Sequence, residues 1–333
     1  MLAGTGIYGR KCRSIARGTS VTISNTYRRT ENALSDVGSS KAAAEWAPFE
    51  RLDIGSIAVD QYSETALVDE ILHHALFGDT TCQLVTANAQ FYVLAQKSRR
   101  FRQCLHDADY ICADGMPVVW ACNSLYGGRV RRIAGVSLIE RLCQRGSVHR
   151  LRVFLLGGKP GTANATAQIL KRRHPGIQIA GVSCPPFGFE RHEESLQEVL
   201  DQVAVAKPHV LFVGLGAPKQ EFLIHNHIRS LRVPLAIGIG GSFEILSGKL
   251  KRAPSWMQSS GLEWAYRLSQ EPSRLWQRYL IGNSEFLWHI AKSRLTSIFQ
   301  KQDNIGFGSL TRIKAYGGRQ SGQQSIPELN AGI

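Results

Sequence analysis

Between Phe49 and Gly248, short apolar runs alternate with longer stretches in which apolar residues recur at helical spacing. The clearest unit is His209-Val-Leu-Phe-Val-Gly-Leu-Gly-Ala-Pro-Lys-Gln-Glu221. Its unbroken apolar run, Val210 to Val213, bounded by turn residues, fits a strand buried on both faces of a parallel sheet. Gly214-Leu-Gly216 turns the chain, and Pro218 opens a helix, where its missing N–H costs nothing. Strand, glycine turn and helix N-terminus make a natural anion site at the carboxyl edge of a sheet. Gln220 and Glu221 are placed to reach a ligand there. An ordinary strand-to-helix connection is the competing reading.

The same rhythm extends in both directions. A strand is predicted over Leu52–Val59, then a helix capped by Ser63 that carries Leu67, Val68, Ile71, Leu72, Ala75 and Leu76. Strand 83–86 ends at Thr86-Ala-Asn88, and helical stretches follow over 89–106. Strand 110–112 ends at Ala113-Asp114-Gly115, before a helix over 117–126, a basic link Arg129-Val-Arg-Arg132 and a helix over 136–145 closed by Gly146. Strand 151–156 meets Gly157-Gly-Lys-Pro-Gly161, and a helix runs to His174. Strand 177–182 meets Cys184-Pro-Pro-Phe-Gly188, with a helix over 191–206. Strand 234–238 leads into Gly238-Ile-Gly-Gly-Ser-Phe-Glu244. This alternation predicts an α/β fold with a doubly wound, mostly parallel, Rossmann-like sheet.

Outside that core the pattern changes. Residues 1–47 are rich in Gly, Ser, Thr and Arg and read as a disordered basic arm. The α/β core spans 48–248. Residues 249–300 read as a helical C-terminal appendage, basic and rich in tryptophan: Trp256, Trp264, Trp276 and Trp288. From 249 to 301, nine Lys or Arg stand against three Glu, a net +6. Residues 301–333 read as a disordered tail.

Charge narrows the partners. The formal net charge is +14 and the pI is near 9.7. That balance points to an anionic partner: nucleic acid, a phosphorylated substrate or an anionic membrane surface. No RNP, helix-turn-helix or zinc spacing supports nucleic acid. Seven cysteines without a CxxC pair fit a reducing cytoplasm, with neither a disulfide framework nor a zinc site. No apolar run approaches the roughly 20 residues that span a bilayer. The expectation is a soluble protein, or one peripheral to a membrane.

Several residues could carry chemistry. Asp114 follows a strand and precedes Gly115, so its carboxylate belongs at the carboxyl edge of the sheet. There it can act as a general base, accept a hydrogen bond, bind a metal or cap the next helix. Asp107-Ala-Asp109 has the form of a metal–nucleotide DxD pair but precedes its strand instead of following it. Gly157–Gly161 lacks both the P-loop and the GxGxxG spacing, yet can still contact a nucleotide. His225 and His227 point apart on a helix. Arg252, Arg267, Arg274 and Arg278 lie among tryptophans and suit either phosphate or a membrane interface.

Together these stretches resemble the WecB/TagA/CpsF glycosyltransferase family (glycosyltransferase family twenty-six). The resemblance rests on Thr86-Ala-Asn88, Ala108-Asp109, Asp114-Gly115, Arg132-Ile-Ala-Gly135 and Phe154-Leu-Leu-Gly-Gly-Lys-Pro-Gly161. It continues through Val213–Glu221, Ile237–Phe243, Arg252-Ala-Pro254, Gly261–Leu268 and Glu271-Pro-Ser-Arg274. It implies inverting transfer of a sugar from a UDP-sugar to a polyprenyl-diphosphate-linked sugar, in bacterial cell-surface polysaccharide synthesis at the inner face of the cell membrane. It implies no cofactor and no bound metal. Asp114 takes the role of base. Thr86, Asn88, Gly115, Arg132, Gly157, Gly158, Gly216, Lys219, Gln220, Glu221 and Gly240 fall to donor or acceptor binding, as do Arg252, Arg267 and Arg274 of an appendage that closes over the site and contacts membrane. Association into a homo-oligomer stays open.

This chain departs from the family pattern in places. Glu244 stands where members usually have Asp, Gln277-Arg278 where many have two arginines, and Pro185-Pro-Phe-Gly188 where others have a His-Gly-Tyr-like turn. A nucleotide-dependent oxidoreductase on the same kind of sheet is the alternative reading; the missing GxGxxG with its acidic ribose partner argues against it.

Overall fold

The computed structural model describes residues 50–128 and 130–292. The expected arm over 1–47 and tail over 301–333 lie outside these residues, as do Arg129, the Arg278 side chain and the end of the expected appendage. The chain divides into two compact units, Met1–Leu287 and Trp288–Ile333. Of the second unit only 288–292 are described, a helical stretch in which Lys292 Nζ lies 5.2 Å from the Trp288 ring centre.

The first apolar run, expected as one strand, folds as a hairpin. β1 (Arg51–Asp53) pairs antiparallel with β2 (Ala58–Asp60). The reason is local: Asp53 Oδ1 accepts from Gly55 N at 2.6 Å, an Asx-type turn that breaks the extended chain. Asp60 then takes Arg51 in a two-pronged ion pair and accepts from Ile111 N at 2.8 Å, which fastens the hairpin beside the outer strand of the main sheet.

That sheet has six parallel strands: β3 (Cys82–Ala87), β4 (Tyr110–Ala113), β5 (Arg152–Gly157), β6 (Gln178–Ser183), β7 (Val210–Gly214) and β8 (Leu235–Gly238). Their order is β4–β3–β8–β7–β5–β6. Helices connect them: α1 (Glu64–Phe77), α2 (Ala89–Lys97), α3 (Arg99–His106), α4 (Met116–Tyr126), α5 (Gly135–Gly146), α6 (Thr162–Arg173), α7 (Glu193–Ala206), α8 (Lys219–Leu231) and α9 (Ser242–Leu246). Strand residues alternate between the two faces. Val153, Leu155, Val210 and Phe212 pack with Leu67, Ile71, Leu138, Ile139, Leu142 and Leu170 of α1, α5 and α6. Phe154, Leu156, Leu211 and Val213 pack with Val199, Val203, Leu223 and Ile224 of α7 and α8. The sheet is doubly wound, as its rhythm predicts.

Two expected caps differ in detail. Ser63 does cap α1, accepting from Ala66 N at 3.1 Å. Gly146 does end α5, but in right-handed backbone and not as a left-handed cap, and a Cβ there would meet Leu151 Cδ2 at 2.6 Å. It permits close packing, and the left-handed residue that ends the segment is Arg150. Pro218 is the N-cap of α8, one position before the first turn.

Beyond Gly248 come α10 (Ser255–Ser259), α11 (Glu263–Gln270) and α12 (Pro272–Trp276), then a wider helical stretch, Gln277–Gly282. Leu275 and Phe286 are buried, and Phe286 stands edge-on to Tyr92 of α2, ring centres 5.0 Å apart. These helices are therefore packed on the sheet unit.

Candidate active site

Because all six strands run parallel, the turns after β3, β4, β5, β7 and β8 gather at one edge. Asn88, Asp114, Gly158, Gly216 and Gly240 therefore meet there although they are far apart in sequence. A Cβ on Gly115 would lie 3.0 Å from Asn88 Cβ, so the turns after β3 and β4 touch. Asp114 N donates to Ala87 O at 2.8 Å, and Ile133 N donates to Ala113 O at 2.8 Å. The second bond brings Arg132 beside Asp114. The N-cap of α4 is Gly115, so Asp114 stands one position before the cap. Burial pushes the Cys112 thiol well above its usual pKa, and the charge of Asp114 adds to the effect.

Four residues expected to bind ligand also make contacts within the protein. Thr86 Oγ1 donates to Gly238 O at 2.8 Å and ties β3 to β8. Gln220 is 2 % exposed and Glu221 0 %. Gln220 Oε1 accepts from Gly216 N at 3.0 Å and from Gly240 N at 3.1 Å, and its Nε2 donates to Glu221 Oε1 at 2.6 Å. The first turn of α8 faces the sheet, so these side chains brace two loops from behind. Lys219 points the other way, into an ion pair with Glu190, with its Nζ 4.0 Å from the Phe187 ring centre. Gly216 and Gly240 hold positive φ, and a Cβ on either would meet nothing within 4 Å, so both border open space.

The β5–α6 turn is also partly occupied. A Cβ on Gly157 would strike Leu215 Cδ2 at 2.7 Å, and one on Gly158 would strike Thr162 Oγ1 at 2.5 Å. These glycines admit neighbouring chain. Lys159 N, the amide a phosphate would seek, already donates to Glu244 Oε1 at 3.0 Å. Glu244 is buried, with no hydrogen bond to its Oε2.

The appendage brings cations and carboxylates over the same edge. A Cβ on Gly261 would lie 2.9 Å from Met116 Cγ and 3.0 Å from Trp120 Cζ2, which sets the start of the crossing against α4. Glu263 holds Arg132 at 2.5 Å. A Cβ on Gly241 would lie 3.6 Å from Arg267 Nη2 and 3.5 Å from Glu244 Oε2. Glu271 takes Lys159 Nζ at 2.7 Å and Arg274 Nη2 at 2.6 Å. Arg252 Nη2 donates to Ser137 Oγ at 2.8 Å at the start of α5, close to the Gly240 loop, where a Cβ on Gly135 would meet Ser242 Oγ at 3.0 Å. Sequence reasoning missed Glu263, Glu271 and Ser137, because their roles exist only once distant loops converge.

The Asp107–Asp109 pair sits at the opposite edge, before β4. Asp109 Oδ2 accepts from Gln83 N at 2.8 Å, so it joins α3 to β3. Among the described residues, no group of three or more His, Cys, Asp or Glu is placed to hold a metal. All described cysteines are free thiols.

A parallel sheet with a carboxylate, open glycine loops and a set of cations at its carboxyl edge defines a Rossmann-like α/β enzyme. The profile of the glycosyl transferase WecG/TagA/CpsF family matches residues 52–300. The chain belongs to this family and is a hexosyltransferase. Relatives include N-acetylglucosaminyldiphosphoundecaprenol N-acetyl-beta-D-mannosaminyltransferases from three bacteria. The Bacillus spizizenii protein is 37 % identical over 197 residues, 59 % of this chain and 74 % of the relative. The Bacillus subtilis protein is 33 % identical over 216 residues, 65 % of this chain and 82 % of the relative. A Staphylococcus aureus protein is 32 % identical over 215 residues, 63 % of this chain and 80 % of the relative.

Proposed function

We propose that this chain moves a hexosyl group from a UDP-sugar to the sugar of a polyprenyl-diphosphate-linked acceptor, with inversion, in the synthesis of a bacterial cell-surface polysaccharide. The observation that carries the reading is the placement of Asp114 at the carboxyl edge, in the turn after β4 and next to the Arg132 link. Asp114 accepts the proton of the acceptor hydroxyl as that oxygen forms its bond to the anomeric carbon. The bond from that carbon to the UDP oxygen breaks, and UDP leaves with the electron pair. Inversion follows from this single displacement. Arg132, Arg267, Lys159 and Arg274 lie where they can offset charge developing on the diphosphate. The names of the relatives support the acceptor class, a sugar on a diphospho-polyprenol.

The reaction is metal-independent in this reading, because the cations take the charge and Asp107–Asp109 lies at the far edge. The enzyme works at the inner membrane face. Among the described residues no helix is long and apolar enough to cross a membrane. Trp120, Trp256 and Trp276 are nonetheless exposed on α4, α10 and α12, and aromatic side chains beside basic ones suit a bilayer interface.

A donor screen tests the proposal. The purified chain, a panel of UDP-sugars and a polyprenyl-diphosphate-linked N-acetylglucosamine are incubated with and without EDTA, and UDP release is read. One donor is expected to release UDP only when acceptor is present, with EDTA making little difference. Stabilisation by NAD or NADP without stabilisation by UDP would overturn the reading, and a complete, metal-reversible loss in EDTA would overturn its metal-independence.

A further inference from the structure

Helix α11 is fastened across the carboxyl edge at both ends, each time by a carboxylate on a cation of the sheet loops. Glu263, its first residue, pairs with Arg132, and the two side chains are only 13 % and 14 % exposed. Glu271, its C-cap, bridges Lys159 through one oxygen and Arg274 through the other. Burial alone would raise the Glu271 carboxyl, but Lys159 and Arg274 hold it below the usual carboxylate range. Gln270 adds a neutral fastening, exchanging two hydrogen bonds with the backbone of Lys251 at 2.9 Å each.

Near-buried ion pairs are poor stabilisers, because desolvation consumes most of the Coulomb gain. The Glu263–Arg132 pair is of that kind, and the Glu271 pairs, whose Lys159 and Arg274 are half exposed, gain little either, so the charges call for another use. A carboxylate offering two oxygens to two cations presents the charge and spacing of a phosphate. Arg132 neighbours Asp114, and Lys159 closes the β5–α6 turn, so the two pairs flank the candidate site.

We propose that Glu263 and Glu271 are positioning residues that hold the Arg132, Lys159 and Arg274 cations in register for a diphosphate-bearing ligand and are exchanged for its phosphate oxygens on binding. This rests on the reading that the site takes a diphosphate. The exchange explains how a basic edge stays ordered before its ligand arrives.

The test uses the full chain and titration calorimetry with UDP, two other nucleoside diphosphates (ADP and GDP), inorganic pyrophosphate and uridine. Glu263→Gln and Glu271→Gln keep the side-chain shape and remove the charge. Each is expected to bind UDP and pyrophosphate about threefold to tenfold more tightly than the parent chain, with uridine affinity unchanged. A general loosening of α11 would move uridine and UDP alike, and so would count against the proposal. Unchanged or weaker binding of UDP and pyrophosphate in a folded variant overturns it, as does a parent chain that binds neither. A parent chain that binds pyrophosphate but shows no preference for UDP over other nucleoside diphosphates sinks the donor reading and leaves the exchange to be judged on pyrophosphate. The two pairs lie at opposite ends of α11, so if one variant does not fold, the other decides.

Discussion

An Asp114→Asn chain is expected to fold, to bind UDP and to transfer sugar about 10²–10⁴-fold more slowly than the parent. The amide keeps the size of the carboxylate and loses its capacity to take a proton. The fold should survive because the backbone bonds that seat this turn, Asp114 N to Ala87 O and Ile133 N to Ala113 O, do not involve the side chain. The measurement is UDP release at saturating donor and acceptor, beside circular dichroism and a UDP thermal shift. Turnover within a few-fold of the parent would remove Asp114 as the base.

A Gln220→Ala chain is expected to lose stability before it loses any ligand contact. The substitution strips the acceptor from Gly216 N and Gly240 N and the donor from Glu221 Oε1, all at or behind the loop surface. Leaving buried polar groups unsatisfied costs about 1–3 kcal/mol each, partly recovered where water enters. A net loss of about 2–4 kcal/mol lowers Tm by about 5–15 °C for a unit of this size. Activity falls as well, since the two loops that border open space lose their common brace. A Tm unchanged from the parent, with only the apparent donor affinity weakened, would return Gln220 to the ligand-binding set.

Much of this architecture is legible in the chain. Continuous apolar runs such as Val210–Val213 can be satisfied only by burial on both faces, so they announce parallel strands. Helical spacing after each glycine turn announces the layers that cover them. The exceptions are instructive. The run over 52–59 reads as one strand because its apolar residues dominate, yet the Asp53–Gly55 bond folds it into a hairpin. Gly146 ends α5 as glycine ends many helices, yet its backbone is right-handed, and Leu151 crowds it, so the missing side chain serves packing. Gln220 reads as a ligand contact because it follows a glycine turn, but which face of α8 meets the sheet is settled by tertiary contacts with β8 and the Gly240 loop.

The sequence by itself determined the α/β class, the strands and turns that converge on one edge, the place of Asp114 at the end of a strand, and the excess of positive charge. These follow from local propensity, periodicity and composition, which act over a few residues at a time. Only the tertiary structure decided which polar residues face the site and which brace it. It turned Thr86, Gln220 and Glu221 inward, gave the Lys159 amide to Glu244, and set Glu263 and Glu271 against Arg132 and Lys159. The bonds Thr86–Gly238, Lys159–Glu244, Arg132–Glu263 and Lys159–Glu271 join residues 85 to 152 positions apart, and no local pattern encodes them. They arise because a buried polar group must find a partner wherever the fold places one.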